Sequence, residues 1–179
     1  MFVPGKSVLL VIDVQGKLAY LMHEKENLFK HIQGLIKMAG YLKIPILVTE
    51  QVPEKIGPTI PEVTQLLPRF QPIKKVAFSC CLENTFLAKL KLLQRKQIIV
   101  CGIEAHVCVV QTVFDLVKKK YAVQVVADAV SSRHLKNKTI ALDRIQSMGA
   151  EVTTTEMIAT ELLRTSTHPQ FKEILNLIR

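Results

Sequence analysis

Val8-Leu-Leu-Val-Ile-Asp13 decides how the rest of the sequence is read. A strand with one wet face alternates apolar and polar residues. An unbroken apolar run closed by an acid belongs instead to a strand covered on both faces. The cadence returns along the chain: Pro45–Thr49, Lys75–Ser79, Gln97–Cys101, Ala122–Ala127 and Glu151–Thr153 read as five further strands. Stretches of helical period separate them. Asn27–Leu42 places apolar residues at 28, 29, 32, 35, 36 and 39, which is one helical face. Thr85–Leu93, Val107–Lys119, Lys136–Met148 (stopped at Gly149), Glu156–Leu163 and Gln170–Ile178 read as helices too. Strand alternating with helix predicts one α/β domain over 1–179: a three-layer α/β/α sandwich around a six-stranded, mostly parallel sheet. The interruption is Glu50–Arg69, where Pro53, Gly57, Pro58, Pro61 and Pro68 predict a long loop with at most a short helix.

Composition agrees with a single globular unit. The chain has 179 residues, 49% hydrophobic and 22% charged, which excludes a disordered or fibrous protein. No apolar run reaches the ~18 residues of a membrane span. Twenty-four Lys plus Arg against 15 Asp plus Glu leave a net charge of +9, which suits an RNA partner, an anionic substrate or plain solubility. Cys80, Cys81, Cys101 and Cys108 show neither zinc spacing nor a disulfide framework, so reduced thiols in a cytoplasmic setting are expected. Met1–Ser7 enters the first strand without the layout of a signal or transit peptide.

Open parallel sheets bind ligands beyond the carboxyl ends of their strands, which directs attention to Asp13, Glu50, Ser79, Gly102 onward and Asp128. Asp13 ends a wholly apolar strand and needs a partner if buried; the structural alternative is a cap on the next turn. Cys108 follows Gly-Ile-Glu-Ala-His-Val in the first turn of a helix, where the dipole favours a thiolate; the alternative is a small buried hydrophobe. Of Lys74 and Lys75, one faces inward and needs an anion, unless the strand edge leaves it in water. Together an acid, a lysine and a cysteine at three strand ends supply a base, a cation and a nucleophile. Amides around Glu104–Cys108 are placed to form an oxyanion hole.

Asp-Val-Gln at 13–15, Thr-Glu-Gln at 49–51, Lys-x-x-Phe-Ser at 75–79 and Gly-Ile-Glu-Ala-His-Val-Cys at 102–108 resemble the isochorismatase-like hydrolases, the cysteine hydrolase family. Val-Thr-Glu-Gln-Val-Pro-Glu-Lys-Ile-Gly-Pro-Thr-Ile-Pro-Glu and the tail His-Pro-Gln-Phe-Lys-Glu are similar to one branch, the isochorismatase domain-containing protein 2 type. The resemblance implies a Rossmann-like three-layer fold and a triad of Asp13, Lys75 and Cys108. It also implies a cis peptide at Ile103–Glu104 that turns the amides of Glu104 and Cys108 toward the reacting oxygen. Asp13 would accept the thiol proton, Lys75 would steady the thiolate, and Cys108 would form a thioester that water then hydrolyses. The expected substrate is a small amide-like molecule, and the expected assembly a homo-oligomer, a dimer or higher.

Two departures narrow the reading. Nicotinamidases of this superfamily carry a metal-binding Asp-x-His after the second strand, whereas here no histidine lies between His31 and His106. No metal or other cofactor is therefore expected. Cys108 also points away from the vinyl-ether hydrolysis that gives the family its name. Gln15, Glu50, Gln51, Phe78 and His106 adjoin the motifs as possible pocket residues, while Cys80, Cys81 and Cys101 read as packing thiols and Lys118–Lys120 as a solvated helix end. The alternative class is a basic RNA-binding protein or ribonuclease, since residues 74–96 and 118–138 each carry six Lys/Arg against one acid. Against it stand few aromatics and no RNA-binding motif. A third reading is a catalytically idle interaction protein of the same fold.

Overall fold

The computed structural model describes residues 1–178. Six strands, β1 (Ser7–Ile12), β2 (Ile46–Gln51), β3 (Ile73–Lys75), β4 (Gln97–Ile103), β5 (Ala122–Ser131) and β6 (Glu151–Thr153), form one sheet. Every pairing is parallel, in the order β3-β2-β1-β4-β5-β6. All six residues of β1 are buried, and the five apolar ones divide between two cores. Leu9 and Val11 join the core under α2 (Lys25–Tyr41), α8 (Thr155–Leu163) and α9 (Phe171–Leu177). Val8, Leu10 and Ile12 join the core under α5 (Asn84–Leu92), α6 (Val110–Lys118) and α7 (Leu135–Ser147). An unbroken apolar strand is what a sheet covered on both faces requires.

The strand order reverses direction between β1 and β4, and a crevice opens at such a switch point. Gly102 brings the two exits together. Its φ is 117°, and a Cβ there would lie 2.1 Å from the Ile12 carbonyl oxygen. Only glycine lets β4 leave the sheet so close to the end of β1.

The structure revises several boundaries, with β2 and β4 each ending two residues later than the sequence pattern suggests. The third strand occupies Ile73–Lys75 rather than Lys75–Ser79. Lys75 has the last ladder partner, Gln51, and its ammonium then draws the carbonyls of Ala77 and Phe78 inward at 3.1 Å each. The Glu83 carboxylate takes the Val76 amide at 3.0 Å, so the chain curls away from the sheet. Between β2 and β3 the chain forms two single-turn helices, α3 (Pro53–Ile56) and α4 (Pro61–Thr64), each with proline in its opening turn, where the missing N–H costs nothing. β5 outruns Ala127 because pairing with β4 slips from Val100–Val125 to Gly102–Val130 and then resumes. Finally, the chain enters α6 through a π-helical turn at Ala105–Val109, and a further short helix, α1 (Gly16–Ala19), follows β1.

Candidate active site

Asp13 is the first residue beyond β1 and has φ of 51°, a left-handed conformation that aspartate tolerates better than most residues. The chain thus leaves the strand with its carboxylate turned over the sheet edge. From neighbouring β2, the Thr49 hydroxyl donates to Asp13 Oδ1 at 2.7 Å and the Thr49 carbonyl accepts the Asp13 amide at 3.2 Å. Asp13 Oδ2 lies 2.6 Å from Lys75 Nζ and meets no other donor.

Lys75 reaches this point from the end of β3, two strands away. Its side chain is 0% exposed and its ammonium is surrounded. Besides Asp13, it meets Gln51 Oε1 at 2.6 Å, the two carbonyls already named, and Cys108 Sγ at 3.5 Å. Gln51 is itself fixed: its amide donates to Gln15 Oε1 at 2.6 Å, and its Nε2 to the Val76 carbonyl at 2.6 Å. Gln15 completes the frame by donating to the Gly57 carbonyl at 2.6 Å. These bonds tie the loop after β2 to the loop after β1 and hold the lysine on a rigid base.

Cys108 lies within the π-helical turn, beside Lys75. The amides of Val107 and Val109 both donate to the Glu104 carbonyl, at 3.0 and 3.3 Å. The Ile103–Glu104 peptide that opens this turn is cis. Burial pushes the Cys108 thiol up to about 12, the Asp13 carboxylate pushes the same way, and Lys75 opposes both. Burial and the adjacent carboxylate thus work against the dipole argument from sequence and favour the protonated form. For Lys75, burial disfavours the ammonium, yet Asp13 and then Cys108 outweigh it and the net direction is upward. Below its pKa a thiol gains thiolate tenfold per pH unit, and the thiolate is the nucleophile. Alkylation of Cys108 by iodoacetamide should therefore climb about tenfold per unit from about pH 7 to about pH 10. A plateau near the ordinary thiol value of about 8.5 would contradict the burial argument.

A cavity of about 240 Å³ opens over these groups, lined by Asp13, Gln15, Gln51, Phe78, Ile103, Glu104, Cys108 and Arg133, with Leu18, Ile56 and Val107 as apolar walls. It is smaller than the pockets that hold drug-sized ligands, so it suits a small molecule. Glu50 does not line it. Its Oε1 accepts both the amide and the hydroxyl of Thr59 at 2.8 Å, which pins the far side of the loop. His106 faces the other way, with Nδ1 2.9 Å from Ser132 Oγ. It borders a second cavity of about 430 Å³ with Ser79, Leu82, Phe114, Asp115 and Arg144. Sequence reasoning passed over Thr49 and Arg133. Thr49 reads as an ordinary β-branched strand residue, and Arg133 follows a strand whose end was placed four residues too early.

Cys80, Cys81 and Cys101 are buried and outside the cavity, and all four thiols are free. Burial pushes Cys80 up to about 11 and Cys81 up to about 12. Among the described residues no group of three or more His, Cys, Asp or Glu is arranged to hold a metal ion, and no helix is long and apolar enough to cross a membrane.

The isochorismatase domain matches residues 7–157. The chain belongs to the isochorismatase family. Among curated relatives, isochorismatase domain-containing protein 2 of Danio rerio is 36% identical over 172 residues, 96% of this chain and 86% of that protein. The secreted isochorismatase effector Isc1 of Phytophthora sojae is 36% identical over 181 residues, with 99% and 86% covered. Among solved structures, one described as MAR1 ribonuclease from Caenorhabditis elegans superposes with a TM-score of 0.92 at 38% identity, covering 99% of this chain and 91% of that one. The α/β sandwich is thus a family trait, and the chain shares the family's hydrolase kind.

Proposed function

We propose that this isochorismatase-family protein is a cysteine hydrolase that cleaves the C–N bond of a small amide-like substrate through a thioester on Cys108. The observation that carries the reading is the convergence of three strand ends. A carboxylate oxygen without another donor, a buried ammonium and a thiol meet at 2.6 and 3.5 Å beneath one cavity. The Cys108 proton passes to Asp13 Oδ2 as Sγ bonds to the carbonyl carbon. The amides of Glu104 and Cys108, beside the cavity wall, receive the oxyanion. The C–N bond then breaks as Asp13 returns the proton to the departing nitrogen, leaving the acyl group on sulfur. Asp13 next takes a proton from water, whose oxygen bonds to the acyl carbon. The C–S bond breaks, the proton goes to sulfur and the acid leaves. Throughout, Lys75 offsets the negative charge that moves between Asp13 and Sγ. No step calls for a cofactor.

A screen of small amides, esters and imines read by intact mass tests this directly. An acyl adduct on Cys108 supports it; hydrolysis that proceeds undiminished in Cys108→Ala contradicts it. If neither turnover nor adduct emerges, the idle-interaction reading gains.

One relative favours a second reading: the structure described as a ribonuclease at 38% identity. Ribonuclease action here would need the basic stretches at 74–96 and 118–138 as a phosphate-binding surface. RNA binding that is absent, or insensitive to salt, would dismiss it.

The exposed Leu82 and Phe114, at 69% and 48%, both border the second cavity, and apolar rims of this kind commonly meet another subunit. We assign this face to self-association. Sedimentation at micromolar concentration would then return a multiple of the 20.2 kDa chain, and a single 20.2 kDa species would contradict it. Four free, buried thiols fit a reducing, cytoplasmic compartment, although the Phytophthora sojae relative is named a secreted effector.

A further inference from the structure

Apart from Lys75, the basic stretches at 74–96 and 118–138 take no part in the chemistry at Cys108, yet the fold brings parts of both together. The register of the sheet sets Gln97 beside Ser7 on one side and Ala122 on the other, so the segments entering β1, β4 and β5 meet at one edge. This is the amino-terminal edge, at the opposite end of the strands from Cys108. The Lys96 carbonyl accepts the Ala122 amide at 2.9 Å, and Lys96 Nζ stands 4.5 Å from the centre of the Tyr121 ring. Arg95 reaches the third segment, its Nη1 donating to the Pro4 carbonyl at 2.8 Å and to the Ser7 carbonyl at 2.9 Å. Among these turns lies a cleft of about 320 Å³ lined by Leu90, Lys91, Gln94, Arg95, Lys96 and Tyr121.

No carboxylate enters that lining. Lys6 precedes β1 and Lys118–Lys120 run directly into Tyr121, and these lysines are exposed, as are Lys91 and Lys96. Among the described residues neither they nor Arg95 form an ion pair. The one acid of each stretch is engaged elsewhere: Glu83 accepts the Val76 amide, and Asp128 accepts the amide and hydroxyl of Thr155. Glu151, which opens β6 at this edge, accepts Gln124 Nε2 at 2.7 Å. The structural alternative is that the lysines answer the negative ends of α5 and α6. A helix end carries about half a unit charge, so two of them balance about one cation and leave the rest unanswered.

We propose that this edge binds a single-stranded nucleic acid, whose phosphodiester backbone runs through the cleft past Lys91 and Lys96 toward Lys118–Lys120. The cleft is concave, so a flexible strand enters it where a flat bilayer would bridge over it. Its walls are mainly donors, with apolar surface only from Leu90 and Tyr121. Cations beside an aromatic ring are the pattern of grooves that follow a sugar–phosphate backbone without reading sequence. Leu92, 81% exposed next to Lys91, makes an anionic membrane the competing occupant, which the experiment below separates. The inference does not depend on the thioester reading. It also parts binding from cleavage, because a strand held at this edge lies at the far end of the sheet from Cys108.

Fluorescence anisotropy of a labelled oligouridylate with the full chain tests the proposal. A strand held through about four phosphates should lose about 50-fold in affinity between about 50 and about 200 mM salt. Lys91→Gln/Lys96→Gln, which changes two exposed side chains, should halve the salt slope and weaken binding about tenfold at about 200 mM. Lys30→Gln/Lys37→Gln removes the same charge from α2, in the opposite layer, and should bind like the parent. Ester hydrolysis should be the same in all three proteins. No binding at about 50 mM salt would overturn the proposal, and so would an equal loss in both double variants, which would reduce it to net charge. Capture by phosphatidylcholine–phosphatidylserine vesicles without RNA binding would overturn it in favour of a membrane. RNA cleavage that is lost in Cys108→Ala would also overturn it, by placing the strand at the catalytic end.

Discussion

Cys108→Ala should lower hydrolysis of any ester or amide the protein accepts by at least about 10⁴-fold, the scale on which removal of a covalent nucleophile acts. The expectation follows from position. Cys108 is the only one of the four cysteines that lines the cavity, and its sulfur is 3.5 Å from the only lysine buried there. The loss should be one of chemistry. Deleting one sulfur from a site with open volume beside it removes little packing, so the variant should unfold within about 1 kcal/mol of the parent. Cys81→Ala serves as the comparison. Its thiol is buried near Asp115 and Lys119, away from the triad, and hydrolysis should persist. A Cys108→Ala protein that keeps even a tenth of its activity would remove sulfur from the reaction.

The second large effect concerns Asp13 and Lys75. Two charges 2.6 Å apart, with the lysine side chain 0% and the aspartate 6% exposed, are each costly without the other. Lys75→Met or Asp13→Asn alone should therefore destabilise the fold by about 3–5 kcal/mol, because each leaves a buried charge unpaired. The double variant Asp13→Asn/Lys75→Met should recover most of that loss, since no lone charge remains. Urea unfolding measures all three, and a double variant as unstable as the sum of the singles would show that the pair is not coupled. Activity should behave differently. Hydrolysis should stay down about 10²–10⁴-fold in the double variant, because stability returns but the proton acceptor does not. The pH direction follows from Lys75, whose pKa is raised in the fold. Its stabilisation is in place below the unfolded lysine value of about 10.4 and is lost as pH rises through the folded value.

Much of this was legible in residue order. The apolar run at Val8–Ile12 specifies a strand covered on both faces, and its closing Asp13 lines the cavity over Cys108. Strand-end reasoning could point to Asp13 and Cys108 and to one of Lys74 and Lys75, and the resemblance to the family chose Lys75. What it could not carry was direction. The sequence pattern puts Phe78 in a strand, yet it lies beyond one, because contacts to Lys75 Nζ and Glu83 peel the chain off the sheet edge. Glu50 and His106 adjoin motif residues but turn toward Thr59 and Ser132, a choice set by tertiary hydrogen bonds. The thiol was expected to benefit from a helix dipole. Burial and the adjacent carboxylate decide otherwise, and neither is visible along the chain. Arg133 was hidden for a different reason: the slip in the β4–β5 ladder carries β5 four residues past its apparent end.

The proposed chemistry requires that an acyl group pass through Cys108. Rapid mixing with a slight excess of 4-nitrophenyl pentanoate, acid quenching and peptide mapping would follow that group through a single turnover. The expected record is a pentanoyl thioester on the peptide containing Cys108. It should appear as fast as nitrophenolate is released and decay at the rate at which free pentanoate accumulates. Pentanoate that accumulates at the full rate while that peptide stays unmodified would contradict it.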